Sequence, residues 1–165
     1  MNDVSKKIAK YGCFCALSLI LSYVESLIPF SLGIPGAKLG LANCVTVFLL
    51  YMLGPVSCVF VNSARILLSG FLFGNLFAVF YSAGGFLFSF LVMVLLKKTG
   101  KFSVPAVSAA GGAFHNLGQL LAAVLVTDLS VLSYFPYLLL CGTAAGILIG
   151  ILSGMIAQRL RGVIK

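Results

Sequence analysis

Six apolar runs of roughly membrane-crossing length, mostly parted by glycine, proline or lysine, take up nearly the whole chain. A transmembrane helix needs about 20 mainly apolar residues, within a range of about 17–25. The runs fall at about residues 8–28, 37–53, 55–73, 75–96, 104–127 and 135–157, with boundaries good to about ±2–4 residues. Pro29, Gly54-Pro55, Gly74-Asn75 and Lys97-Lys98 end the first four, and proline and glycine do so for backbone reasons. Connections 2/3 and 3/4 are so short that those neighbours must run antiparallel.

Composition agrees with that pattern. Charged residues are 8% of the 165, against about 25% in a soluble domain. Too few polar groups remain to coat a water-facing surface, which excludes a soluble enzyme, a disordered segment and a nucleic-acid-binding module. The expected fold is all-α: one integral membrane bundle of six transmembrane helices over 1–165, embedded among membrane lipids. The first run, which follows Lys6, Lys7 and Lys10, outlasts a signal-peptide core and lacks a small-x-small cleavage site, so it reads as a retained helix.

Charge placement orients the bundle. Alternation puts Lys6, Lys7, Lys10, Lys97, Lys98, Lys101, Arg159, Arg161 and Lys165 on one side and Lys38 alone on the other. By the positive-inside rule both termini are expected in the cytoplasm. Five or seven spans would expose one terminal basic cluster.

Two patterns of small residues bear on packing. Gly142, Gly146, Gly150 and Gly154 form a stripe on one face of the last helix, suited to close backbone approach either within the bundle or to a partner. Ala9, Gly12, Cys13 and Ala16 make a smooth patch on the first helix, readable as packing or as a docking face for a second membrane protein. The five cysteines sit in apolar runs without metal-ligand spacing and read as packing residues.

Polar groups inside the spans are the candidates for function. An Arg or Asp at mid-helix costs about 2.5–3.5 kcal/mol on insertion scales, so such groups face the bundle interior or a wet cavity. Arg65 lies about 12 Å below the outer surface, eight residues in at about 1.5 Å each, and shares a face with Asn62 and Ser69. Its permanent charge needs an anion or several carbonyls. Two readings stand: a structural pair with Glu25, or contact with an anionic or polar ligand. His115, Asn116 and Gln119 crowd one turn of the fifth helix, too polar for a lipid face. They read either as packing with a satisfied histidine or as a cavity wall. Ser18, Ser22 and Glu25 form a stripe ending at the outer side of helix 1. Asn43 and Thr46 share a face of helix 2, below the Pro29–Lys38 loop. Asn75, Ser82 and Ser89 step along helix 4 and read as packing. Together Glu25, Lys38, Asn43, Asn62, Arg65, His115, Asn116 and Gln119 are the candidate substrate-binding residues of a cavity open to the outside, with the first outer loop as its cap.

No catalytic motif is expected. Three acids, none near another in sequence, give no cluster for magnesium diphosphate chemistry. There is no phosphate-binding loop for ATP and no credible Ser-His-acid set, and no cofactor or metal is expected.

Several of these runs resemble a known bacterial membrane family. They are Leu21-Ser-Tyr-Val-Glu25-Ser-Leu-Ile-Pro29, Ile34-Pro-Gly-Ala-Lys38-Leu-Gly-Leu-Ala-Asn43 and Arg65-Ile-Leu-Leu-Ser-Gly70-Phe-Leu-Phe-Gly74, with Tyr81-Ser-Ala-Gly-Gly85 and Gly112-Ala-Phe-His115-Asn-Leu-Gly-Gln119. The resemblance is to heptaprenyl diphosphate synthase component I, also labelled the Gx transporter family. That family is similar to the S components of energy-coupling factor (ECF) transporters. The resemblance implies a six-helix protein of the bacterial cytoplasmic membrane that captures a small vitamin-like, quinone or prenyl precursor under its first outer loop. It also implies docking, through small residues of helix 1, on a transmembrane coupling subunit driven by two ATPases. The nearest matches to that motif here are Gly12-xxx-Ala16 and Ala9-xxx-Cys13. The family label carries an alternative: a non-catalytic membrane subunit associated with heptaprenyl diphosphate and menaquinone side-chain synthesis. A scaffold without ligand is a third reading.

Overall fold

The computed structural model describes residues 2–27 and 40–164, and side chains up to residue 160. Six α-helices and one 3-10 turn account for nearly all of them: α1 Asp3–Leu27, α2 Leu41–Met52, α3 Pro55–Phe73, α4 Leu76–Thr99, α5 Val104–Val124 and α6 Phe135–Ile164, with the 3-10 turn Leu129–Tyr134 leading into α6. No strand occurs among the described residues.

Local chemistry sets the helix ends. Gly40 takes the left-handed conformation (φ +73°) just before α2, and Gly100 (φ +67°) closes α4. Asn75 and Ser103 accept from the amides of Ala78 and Ala106 and so start α4 and α5. Proline stands in the first turn of α3 and of α5, where its missing N–H is not needed.

Four segments are long and apolar enough to cross a membrane: Asp3–Leu27, Pro55–Phe73, Leu76–Thr99 and Leu129–Leu160. The sequence led us to expect six. The described part of α2 has 12 residues and so rises about 18 Å, short of a bilayer core. α5 has the length, but Gly, Ser and its polar turn lower its apolarity. Both are sheltered instead: seven residues of α2 are buried, and α5 lies packed between α4 and α6. The outer surface is correspondingly greasy, with Phe71 81% and Leu76 79% exposed.

Neighbour relations close a ring in the order α1, α2, α6, α5, α4, α3 and back to α1, with α2 also touching α3. The ring is held unevenly. α5 packs most extensively on α6 and α4, because glycines bring backbone against backbone. A methyl group added at Gly142 would stand 2.5 Å from the Gly112 carbonyl oxygen, one at Gly146 2.5 Å from that of Ser108, and one at Gly84 2.9 Å from that of Gly118. The glycine stripe of α6 therefore packs within the bundle from Gly142 to Gly150, while Gly154 at its end has only ordinary contacts with Val104.

The other three helices are joined by side chains. Tyr11 and Ser57 hydroxyls meet at 2.9 Å between α1 and α3. Thr46 Oγ1 donates to Asn62 Oδ1 (2.8 Å), and Asn62 Nδ2 donates to the Cys58 carbonyl (3.0 Å). Lys97 Nζ donates to the Leu50 carbonyl at the end of α2 and lies 5.0 Å from the centre of the Tyr51 ring.

At the end of the ring that carries the lysines of α1 and α4, the interior is filled by Leu49, Leu50, Cys58, Val61, Met93 and Val107. Asn62 belongs to this filled half. Asn62→Ala is expected to strand the buried Thr46 hydroxyl and cost about 1–3 kcal/mol, read as a lowered unfolding midpoint in detergent, with Thr46→Val in the same background restoring part of it.

Candidate functional site

Above the filled half the ring is hollow. A cavity of about 220 Å³ runs from Met93 and Val47 at its floor toward the opposite end of the bundle. Val61 and Arg65, one turn apart on α3, mark the change from dry core to cavity wall.

α1, α2 and α3 supply one wall. Arg65 is 8% exposed. Its Nη1 donates to Ser22 Oγ on α1 at 3.2 Å, and its buried Nε has no hydrogen-bond partner among the described residues. Glu25 lines the same wall, near enough to stabilise the Arg65 charge, and one of its oxygens accepts from the Gly40 amide at the start of α2. Asn43 and Ser69 complete this side.

α4, α5 and α6 supply the other wall. His115, Asn116 and Gln119 all line the cavity, so the polar turn of α5 faces inward as a unit. His115 and Gln119 lean on α4 at Gly85, where a methyl group would stand 2.8 Å from each. Asn116 has a structural share as well: its Nδ2 donates to the Leu138 carbonyl of α6 at 2.6 Å.

Six of the eight candidate binding residues thus share one cavity: Glu25, Asn43, Arg65, His115, Asn116 and Gln119. Asn62 does not line it, because it sits about 4.5 Å lower along α3 than Arg65 and bonds with α2. Lys38 and the Pro29–Lys38 cap lie outside the described residues. The sequence reading missed Ser26 and Ser108, and took Ser82 and Ser89 for packing; all four line the cavity. Asn75, from the same stripe of α4, is a helix cap. Ala9, Gly12, Cys13 and Ala16 are all exposed on α1, and a methyl group at Gly12 would meet nothing within 4 Å.

Chemically, the cavity offers one permanent cation, one carboxylate, one imidazole, amides and hydroxyls. Such a set is suited to binding and orienting a small polar molecule. No group of three or more His, Cys, Asp or Glu residues able to hold a metal ion occurs among the described residues.

No curated protein and no solved structure matches the chain. The family model of heptaprenyl diphosphate synthase component I matches residues 14–156, which include every helix except the first part of α1 and the last turns of α6. The chain is a member of the heptaprenyl diphosphate synthase component I family.

Proposed function

We propose that this protein is the substrate-binding membrane subunit of an ATP-driven importer of the ECF type, and that it captures a small precursor from outside the cell. The observation that carries this reading is the hollow half of the ring, with the buried Arg65 facing a wall of His115, Asn116 and Gln119 across about 220 Å³. A scaffold has no need of so many polar groups around a void within apolar helices, where each is costly to insert.

In this reading all six helices cross the bacterial cytoplasmic membrane, α2 and α5 sheltered by their neighbours. The end bearing Lys6, Lys97 and Arg159 faces the cytoplasm by the positive-inside rule, so the cavity faces outward above a sealed apolar floor. Glu25, Asn43, Arg65, His115, Asn116 and Gln119 hold the guest, with Lys38 in the capping segment. The exposed face of Ala9, Gly12, Cys13 and Ala16 seats the coupling subunit, which is driven by two ATPase subunits.

Native mass spectrometry of the protein gently extracted from its own membrane tests this. A retained small molecule together with ATPase subunits is the expected result. A soluble prenyltransferase as the companion, with no ATPase present, would overturn it in favour of the second reading. That reading, a non-catalytic membrane subunit acting with a second synthase component, is favoured by the family's name and its match over residues 14–156.

A further inference from the structure

We infer that the guest of this cavity is a small oxyanion, a carboxylate or phosphate on a body of about one ring, seated on Arg65. The inference rests on the capture reading and adds the chemical class of what is captured. A guanidinium carries five N–H donors and stays charged at any biological pH. In Arg65, Nη1 donates to Ser22, and Nε is buried without a hydrogen-bond partner among the described residues. An unmet buried donor is costly, and the group that meets two guanidinium donors in parallel is an oxyanion. Glu25 is a neighbour in charge, but one of its oxygens accepts from the amide that begins α2, where a helix N-terminus also favours a negative charge.

Size sets the rest of the class. An engineered cavity of about 150 Å³ holds benzene. The about 220 Å³ here takes one such ring plus an acid group. His115 and Gln119 across the cavity favour a body with a polar edge.

The test uses the full chain in detergent at constant ionic strength, with millimolar benzoate, phenyl phosphate and benzamide as probes and the unfolding midpoint as the readout. A rise with benzoate or phenyl phosphate and none with benzamide is expected, the stronger acid naming the headgroup. Arg65→Gln is expected to weaken the apparent affinity for that acid at least about tenfold. Equal rises with benzamide, no rise with either acid, or an acid effect undiminished in Arg65→Gln would each overturn the inference. Should Arg65→Gln fail to fold, the comparison of acid with amide in the unaltered protein decides alone. A neutral molecule found in the extracted protein would remove the anion class and leave the capture reading standing. Acid-selective binding in a protein that brings down no ATPase would do the reverse.

Discussion

Gly142→Val is expected to prevent the bundle from assembling. The first added carbon already stands 2.5 Å from the Gly112 carbonyl oxygen and 2.6 Å from Asn116 Nδ2. A carbonyl fixed in a helix cannot turn aside as a side chain can, so α5 and α6 must separate. Separation costs Gly146 and Gly150 their contacts, because all three glycines share one seam. Overpacking a tight core costs about 1–3 kcal/mol even where side chains can move, and here the expected loss is more than about 3 kcal/mol. That corresponds to a fall in unfolding midpoint on the order of 10 °C for a chain of this size, or to failure to accumulate in the membrane. Gly154→Ala is the matched control, since a methyl group there meets Val104 at 3.9 Å and should change little. Equal damage from both substitutions would show that the seam is not what holds α5 to α6.

If the cavity takes a guest as proposed, Gly85→Val is expected to leave a folded protein that no longer retains it. The atoms in its way are His115 Cε1 and Gln119 Cγ, which belong to side chains bordering empty space. The His115 ring, met at its far edge, can turn about its side-chain bonds, and it borders the cavity. One methylene too many in a fitted pocket is worth about 10- to 200-fold in selectivity, and the same order of loss in occupancy is expected here. Native mass spectra of the extracted variant should show the intact chain without the small molecule expected in the unaltered protein. Full retention of that molecule would mean that the His115 wall does not touch it.

Arg65, His115 and Gln119 were legible in the sequence because a charged or amide side chain inside an apolar run has only one affordable direction, inward. The glycine spacing on α6 likewise announced a close helix contact, though only the three-dimensional arrangement assigns it to α5. Serine carries no such signal. Its hydroxyl can satisfy itself on the preceding turn of its own helix, so Ser82, Ser89 and Ser108 look the same whether they pack or face a void. Asn62 shows the opposite case: it shares the face of Arg65 but does not line the cavity. Helical periodicity gave its face correctly, but a face is a line and a cavity has a floor; three residues below Arg65 that line has entered dry core, where Thr46 is waiting. The shortness of the described α2 was hidden because Gly40 interrupts an otherwise apolar run, and left-handed backbone at a glycine leaves no mark on hydropathy.

The seam between α5 and α6 constrains heredity as well as shape. Where side chains meet, a change on one helix is repaired by a complementary change on the other, and lineages drift through such pairs. Where main chain meets main chain there is no partner residue to alter, so nothing at Gly112 or Ser108 can make room for a bulkier neighbour at Gly142 or Gly146. Positions of this kind should stay fixed while α1 to α3 are rewritten around them, leaving half of the cavity wall free to change without loosening the frame that holds it.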